Sequence, residues 1–125
     1  MTQEEKDLLL KDLCARLPYG VKVESVFINP DTKEHKSCGI EVFNATSLLM
    51  IRDGLGEFKP YLFPLSSMTE EQIKEFNSIT QKCNTYIGKS ILLTDFCNKH
   101  HIDWRGFIEK GLAEDATDKN IYDYL

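Results

Sequence analysis

The stretch VKVESVFI (residues 21–28), followed by the turn sequence NPD (29–31) and then KSCGIEVF (36–43), decides the fold class of this chain. The first run is rich in β-branched side chains, and Asn-Pro-Asp is a strong turn signal. In the second run, alternate residues are apolar and are expected to share one face of a strand: Cys38, Ile40 and Val42. The stretch therefore predicts two antiparallel strands joined by a turn.

Two further strands are predicted downstream of this pair. Residues 48–52, LLMIR, indicate a short apolar strand, and Asp53-Gly54 after them favours a hairpin turn. Residues 58–63, FKPYLF, follow as a fourth strand. Because Pro60 cannot donate a hydrogen bond to a ladder, this strand is expected at an edge or at a bulge.

Helical patterns precede and follow the predicted strands. Residues 3–16, QEEKDLLLKDLCAR, combine apolar residues at helical spacing with acids in the first turns, which predicts an N-terminal helix. Thr69 and Gln72 match a capping box that starts a second helix ending near Cys83. A third helix is predicted over about residues 90–100.

The segment CNKHHIDW (97–104) is predicted to be a corner between two helices. Asp103 fits an N-cap position, with Ile102 and Phe107 placed as a hydrophobic staple around it. The short helix that follows is expected to cover Trp104–Lys110 and to end at Gly111.

These elements predict a single α+β domain over residues 1–125. An N-terminal helix precedes a four-stranded, mainly antiparallel meander sheet, and three C-terminal helices pack on one face of that sheet. Residues 113–125 form an acidic tail that either stays mobile or folds back onto the domain.

Composition and charge argue against several classes of function. The net charge is −5 and no run of basic residues occurs, so nucleic acid and anionic membranes are not expected partners. No apolar run of about 18 residues is present, so no transmembrane helix is expected. The opening TQEEKD does not fit a secretory signal, which favours action in the cytoplasm. The four cysteines are then interpreted as reduced thiols, mostly small buried hydrophobes.

One constellation has the residue types of a metal site. His35-x-x-Cys38 and Cys97-x-x-His100 are two ligand pairs at chelating spacing, and together they have the composition of a tetrahedral zinc site. The alternative is that both cysteines are core residues and both histidines lie at the surface. Cys97 with His100 also offers a thiol–imidazole pair, but no Gly-rich oxyanion loop accompanies it. The chain is therefore interpreted as having no cofactor, with zinc as the alternative.

Two regions offer side chains for contact with a partner. Residues 90–111 resemble a helix-turn-helix whose second helix presents Trp104 and Arg105, although its face carries too few basic residues for a convincing DNA reader. The tail contains three large apolar or aromatic side chains in an acidic setting: Ile121, Tyr122 and Tyr124. Such a segment either docks on the domain or binds a partner.

Three segments carry a family resemblance: LLLKDLCARLPYGVKV (8–23), KPYLFPLSSMTEEQ (59–72) and NKHHIDWRGFIEKGLA (98–113). They resemble a family of small uncharacterised proteins from phages and integrated mobile elements of gut Bacteroidales bacteria. The resemblance covers most of the chain and is weakest at residues 24–47 and 77–90. It implies a mobile-element origin and action in a bacterial cytoplasm, and it transfers no catalytic residue.

The leading hypothesis for function is a non-enzymatic accessory protein of a phage or mobile element. It would act by contacting a host or phage protein, and inhibition of a host defence system belongs to this class. A structural or self-assembling protein, such as a homodimer joined through an exposed strand, is the first alternative. A small zinc-binding or DNA-binding regulator is the second.

Overall fold

A computed structural model describes residues 1–122 and confirms the α+β fold class. This part of the chain contains four α-helices: α1 Gln3–Arg16, α2 Ala45–Arg52, α3 Glu70–Lys82 and α4 Tyr86–Lys99. It contains five strands: β1 Lys22–Ile28, β2 His35–Val42, β3 Gly56–Pro64, β4 Ile102–Asp103 and β5 Glu114–Asp115. Tyr124, one of the predicted contact residues, lies outside the described residues.

The strands form one mixed sheet in the order β2-β1-β3-β4, rather than the predicted four-stranded meander. β1 pairs antiparallel with β2 on one side and with β3 on the other. Two short strands, β5 and then β4, pair in parallel with successive residues along β3. Parallel pairing arises because the chain passes through α3 and α4 before it returns to the sheet.

The predicted strand LLMIR is wrong, since these residues belong to α2. The side chain of Asn44 accepts hydrogen bonds from the amides of Thr46 and Ser47, and Ser47 Oγ accepts from the Asn44 amide. This capping box fixes a helix start immediately before the apolar run. Leu and Met are also better helix formers than strand formers, so the local signal favours the helix.

The hairpin β1–β2 is confirmed, but its faces differ from the prediction. The register shifts between Ser25 and Val26, and Cys38 on β2 has no paired residue, so Cys38 is the extra residue of a β-bulge. A bulge breaks the two-residue alternation of side chains. Cys38 therefore does not continue the regular alternation of Ile40 and Val42, and all three side chains are exposed.

Pro60 lies in the interior of the sheet rather than on an edge strand. β3 has β1 on one side and β5 and β4 on the other. The β1–β3 ladder ends at the pair Val23 and Pro60, and the β3–β5 ladder begins one residue later at Tyr61. A proline that lacks an N–H is tolerated at such a junction between two ladders.

The predicted helix Trp104–Lys110 is also wrong, because this segment consists of turns. Asp103 nevertheless caps it: its carboxylate accepts from the amides of Phe107 and Ile108, each at 2.9 Å. Gly106 and Gly111 adopt left-handed φ angles of 77° and 74°, which interrupt a regular helix. Two C-terminal helices, α3 and α4, are therefore present among the described residues instead of three.

Two adjoining clusters make up the apolar core. The larger one packs α1 and the irregular segment after residue 104 against the sheet: Leu9, Leu13, Val21, Val23, Phe43, Phe58, Leu62, Phe107, Leu112 and Ala113. The smaller one joins α4 to β4 through Phe96, Cys97 and Ile102. The CNKHHIDW segment lies where the two clusters meet, and this position explains the buried polar groups described next.

Candidate functional site

The segment CNKHHIDW lies against a buried arginine of α1. Arg16 and Asp12 both have side chains with 0% exposure, and their Nε and Oδ2 atoms are 2.8 Å apart. The same guanidinium donates to the carbonyl oxygen of Ile102 at 2.7 Å and to that of Cys97 at 3.4 Å. Arg16 therefore links α1 to both sides of the corner, with each guanidinium nitrogen hydrogen-bonded and its charge paired with Asp12.

Trp104 and Arg105 lie at the rim of this buried network. Arg105 Nε donates to Oδ1 of Asp12 at 3.1 Å, and its guanidinium carbon lies 4.0 Å from the centroid of the Trp104 ring. Trp104 Nε1 in turn donates to Oδ1 of Asn98 at 3.2 Å. Both predicted contact residues therefore have partners inside the fold, and the Arg105 side chain is only 20% exposed.

The spacing of α1 contains the signal that would have predicted this network. The buried residues of that helix, Leu9, Asp12, Leu13 and Arg16, follow the i, i+3, i+4, i+7 spacing of one helix face. An acid and a base four residues apart on an apolar stripe indicate a buried ion pair.

Tyr122, in the acidic tail, docks on the domain in this structure. Its hydroxyl accepts from the Lys22 amide at 2.7 Å and donates to the Tyr61 carbonyl oxygen at 2.8 Å. Its ring stacks on the imidazole of His101, with centroids 4.0 Å apart and planes at 13°. The Ile121 carbonyl oxygen accepts from the Lys22 ammonium group.

His101 is the most unusual residue of the corner. It has a left-handed φ of 58°, and it is 6% exposed. Its Nδ1 atom is buried and has no hydrogen-bond partner. A buried nitrogen without a hydrogen-bond partner costs free energy, so the burial of this imidazole lowers the free energy of unfolding.

Burial, followed by the charges of Arg16 and His100, lowers the pKa of His101 from 6.5 to about 4. His101 therefore binds a proton less readily in the folded protein than in the unfolded chain. The free energy of unfolding should consequently fall as the pH drops from 6.5 towards about 4. A shift of this size corresponds to a loss of about 3 kcal/mol. Urea unfolding at several pH values across this window measures it.

The matched variant for this pH prediction is His101→Asn. Asparagine tolerates the left-handed φ of position 101 but does not titrate, so the variant should lose most of the pH dependence between about pH 7 and about pH 4.5. An unchanged pH dependence in the variant would assign the effect to other groups.

A cleft of about 430 Å³ opens beside the stacked pair of His101 and Tyr122. The side chains around it are mainly polar: Gln72, Lys99, His100, His101, Asp118 and Asn120. Phe63, Ala116 and Tyr122 add apolar surface to the same lining. Next to two of the polar residues, Glu75 lies 3.4 Å from His100 Nε2 and 3.8 Å from Lys99 Nζ. The cleft thus combines hydrogen-bonding side chains with apolar surface.

The predicted zinc ligands do not come together. Within residues 1–122, no three His, Cys, Asp or Glu side chains are grouped so that they could hold a metal ion. His35 and Cys38 are exposed on β2, whereas Cys97 is buried in the core and His100 contacts Glu75. The two ligand pairs belong to separate parts of the fold, which their local spacing could not reveal.

The cysteines also depart from their interpretation as buried hydrophobes. Cys97 is buried, but Cys14 and Cys38 are exposed and Cys83 is intermediate. Burial raises the pKa of the Cys97 thiol, and Arg16 opposes this by a smaller amount. A raised pKa keeps the sulfur protonated, so the arrangement does not activate Cys97 as a nucleophile.

The N-terminal half of α4 presents an exposed apolar surface. Tyr86 is 90% exposed, Ile87 76% and Ile91 65%. Ile87 and Ile91 are four residues apart and lie on the opposite side of the helix from Phe96, which is buried in the core. We call Tyr86, Ile87 and Ile91 the α4 apolar face. The helix was predicted to start only near residue 90 and so did not include Tyr86 and Ile87, whereas α4 begins at Tyr86.

None of the helices formed by residues 1–122 combines the length and apolarity needed to cross a membrane. Comparison of the chain with family models, with curated proteins and with solved structures finds no match.

Proposed function

We propose that this chain is a non-enzymatic binding protein that acts by contacting another protein through the α4 apolar face. The single observation that carries the proposal is the exposure of three large apolar side chains on the first turns of one helix, Tyr86, Ile87 and Ile91, of which Ile87 and Ile91 lie one turn apart. Clustered apolar side chains that remain outside a core mark protein contact sites more often than isolated ones do.

The surroundings of this face suit a protein partner with acidic groups around an apolar centre. The Lys89 ammonium group lies 5.8 Å from the centroid of the Tyr86 ring, and Lys82 ends the preceding helix α3. Lys89 thus places a cation beside the α4 apolar face in a chain whose net charge is −5. Apolar anchors with a charged rim are the usual composition of a transient interface.

The resemblance to proteins of phages and mobile elements supports the class of partner. A host or phage protein in a bacterial cytoplasm is the proposed partner, and inhibition of a host defence component is one activity of this kind. The non-enzymatic assignment is supported by Cys97, whose thiol is buried and has a raised pKa. This arrangement does not activate Cys97 as a nucleophile.

The double variant Ile87→Asp/Ile91→Asp tests the proposal. We expect it to bind the partner at least about tenfold more weakly, because each isoleucine contributes apolar area and each new carboxylate must be desolvated on binding. Pull-downs from a gut Bacteroidales lysate identify the partner, and calorimetry with the purified pair measures the affinity.

Leu49→Asp on α2 is the matched control, since Leu49 is 50% exposed on a different helix. This variant should bind the partner as the wild type does. Equal affinities for the wild type and the double variant would place the interface elsewhere on the molecule.

Self-assembly through β2 is the second candidate function. β2 is the outermost strand of the sheet order, and Ile40 and Val42 on it are 48% and 46% exposed. An edge strand of this length offers unpaired backbone groups to a second copy, although the bulge at Cys38 limits such pairing. Light scattering that shows a monomer at all concentrations would contradict this candidate.

A further inference from the structure

Tyr122 fills a seat that is assembled from distant parts of the chain. The backbone atoms of Lys22 and Tyr61 contact its hydroxyl, and the rings of His101 and Phe63 flank its ring. We call these four residues the Tyr122 seat. They lie on β1, on β3 and in the corner before β4, so the fold builds the seat independently of the tail.

The position of the seat follows from the sheet. The β1–β3 ladder ends at Val23 and Pro60, so the next pair in register would be Lys22 opposite Tyr61. The Tyr122 hydroxyl bridges that pair instead: it accepts from the Lys22 amide at 2.7 Å and donates to the Tyr61 carbonyl oxygen at 2.8 Å. The Lys22 carbonyl oxygen lies 3.3 Å from the same hydroxyl.

This geometry selects tyrosine over other aromatic side chains. A phenol both accepts and donates, and the seat offers one amide donor and a carbonyl acceptor at matching distances. Phenylalanine would retain the stack on His101 but would leave the ladder end unbridged. The seat therefore recognises a hydroxyl as well as a ring.

Beside Tyr122, Ile121 also holds the tail in place, because its carbonyl oxygen accepts from the Lys22 ammonium group. Between β5 and Tyr122, the described residues lie outside helices and strands, with Asp118 and Asn120 at left-handed φ angles of 65° and 53°. Among the described residues, Ala116 is the last whose amide bonds to β3, donating to the Leu62 carbonyl oxygen. Release of the described segment beyond Ala116 would thus leave the helices and strands of residues 1–115 intact.

With Tyr122 docked, one buried polar atom beside it lacks a hydrogen bond, which costs free energy. His101 Nδ1 stays unpaired while the Tyr122 ring stacks on the same imidazole. Beside the stack lies the polar cleft of about 430 Å³, whose Gln72, Lys99 and His100 side chains can bond the backbone of a further segment. The tail residues Ala116, Asp118, Asn120 and Tyr122 line the other side of this cleft, so an incoming segment would replace that side.

We propose that the Tyr122 seat, with its adjoining cleft, is a binding site for a tyrosine-bearing segment of a partner protein, and that the chain's own Tyr122 occupies it until displaced. The tail shows the chemistry of the occupant: a tyrosine whose preceding residue presents a carbonyl oxygen to the Lys22 ammonium group, as Ile121 does. The intramolecular tail competes at an effective concentration of roughly millimolar, which sets a threshold for the partner. This site lies apart from the α4 apolar face and does not depend on it.

The test uses a fluorescent, end-blocked peptide with the sequence of residues 116–122, ATDKNIY, as a stand-in for the partner segment. We expect it to bind full-length Tyr122→Ala at least about tenfold more tightly than wild type, because the wild-type seat is occupied. The same peptide with phenylalanine in place of tyrosine should bind Tyr122→Ala about tenfold more weakly. Fluorescence anisotropy measures all three affinities.

Several outcomes would overturn the proposal. The first is that Tyr122→Ala has the circular dichroism spectrum of the wild type but does not bind the peptide. The second is that the tyrosine and phenylalanine peptides bind Tyr122→Ala with equal affinity. Should Tyr122→Ala fail to fold, Tyr122→Phe retains the ring and should still bind the tyrosine peptide more tightly than wild type does. A wild-type dimer that Tyr122→Ala abolishes would assign the seat to a second copy of this chain instead.

The α4 variant separates this proposal from the proposed function. Ile87→Asp/Ile91→Asp combined with Tyr122→Ala should bind the peptide as Tyr122→Ala alone does. A loss of peptide binding in that combination would contradict the independence of the two sites.

Discussion

Replacing Asp12 by alanine is expected to lower the free energy of unfolding by about 3–5 kcal/mol. The substitution leaves the Arg16 guanidinium fully buried without a counter-charge, since its remaining partners are the neutral carbonyl oxygens of Cys97 and Ile102. It also removes the acceptor of Arg105. Urea unfolding followed by circular dichroism measures the loss.

Asp53→Ala is the matched control for this prediction. Asp53 pairs with Arg52 at 2.9 Å, close to the distance in the buried pair, but the two side chains are 48% and 69% exposed. Solvent screens an exposed pair, so its removal should change stability little. Similar losses in the two variants would show that burial does not decide the strength of the Asp12–Arg16 pair.

A double substitution separates the cost of an unpaired charge from the value of the pair. Asp12→Leu/Arg16→Met removes both charges and refills the space with apolar atoms. We expect it to be clearly more stable than Asp12→Ala, because neither charge then remains buried without its partner. A double variant as unstable as Asp12→Ala would mean that the hydrogen bonds to Cys97 and Ile102 carry the stability.

Phe107→Ala is expected to cost about 3–5 kcal/mol of unfolding free energy. Phe107 is 0% exposed and belongs to the larger core cluster, although it lies in a segment of turns rather than in a helix or strand. The Asp103 carboxylate fixes its amide at 2.9 Å, so the backbone cannot easily collapse into the cavity. Urea unfolding is again the measurement.

Phe27→Ala provides the comparison for Phe107→Ala. Phe27 lies on β1 and is only partly buried, so the same deletion of a phenyl ring should cost clearly less there. If the two substitutions were equally mild, the segment after residue 104 would not be an integral part of the core.

The sequence predicted well wherever a signal is local. The capping box at Thr69 starts α3 at Glu70, as the spacing of Thr69 and Gln72 indicates. The strong turn after residue 28 produces the β1–β2 pair, because turn residues and β-branched strands act over a few positions. The strand prediction for LLMIR is wrong because another local signal, the capping box at Asn44, starts a helix there.

The candidate sites were predicted less well, because they depend on distant parts of the chain. Trp104 and Arg105 are suitable contact residues by type, yet Asn98 and Asp12 hold them within the fold. Tyr122 was expected either to dock or to remain free, and its bonds to Lys22 and Tyr61 bring together residues about sixty and a hundred positions apart in the chain. No local pattern encodes such a meeting.

By itself, the sequence determined the fold class, the first two strands and the starts and stops of α1 and α3. These features follow from periodicity, caps and turns within about fifteen residues. Only the tertiary structure decided that β3 is central, that CNKHHIDW lies against a buried Arg16, and that the zinc pairs stay apart. The physical reason is that burial and charge pairing depend on which elements pack together, and a short stretch of chain is compatible with several such packings.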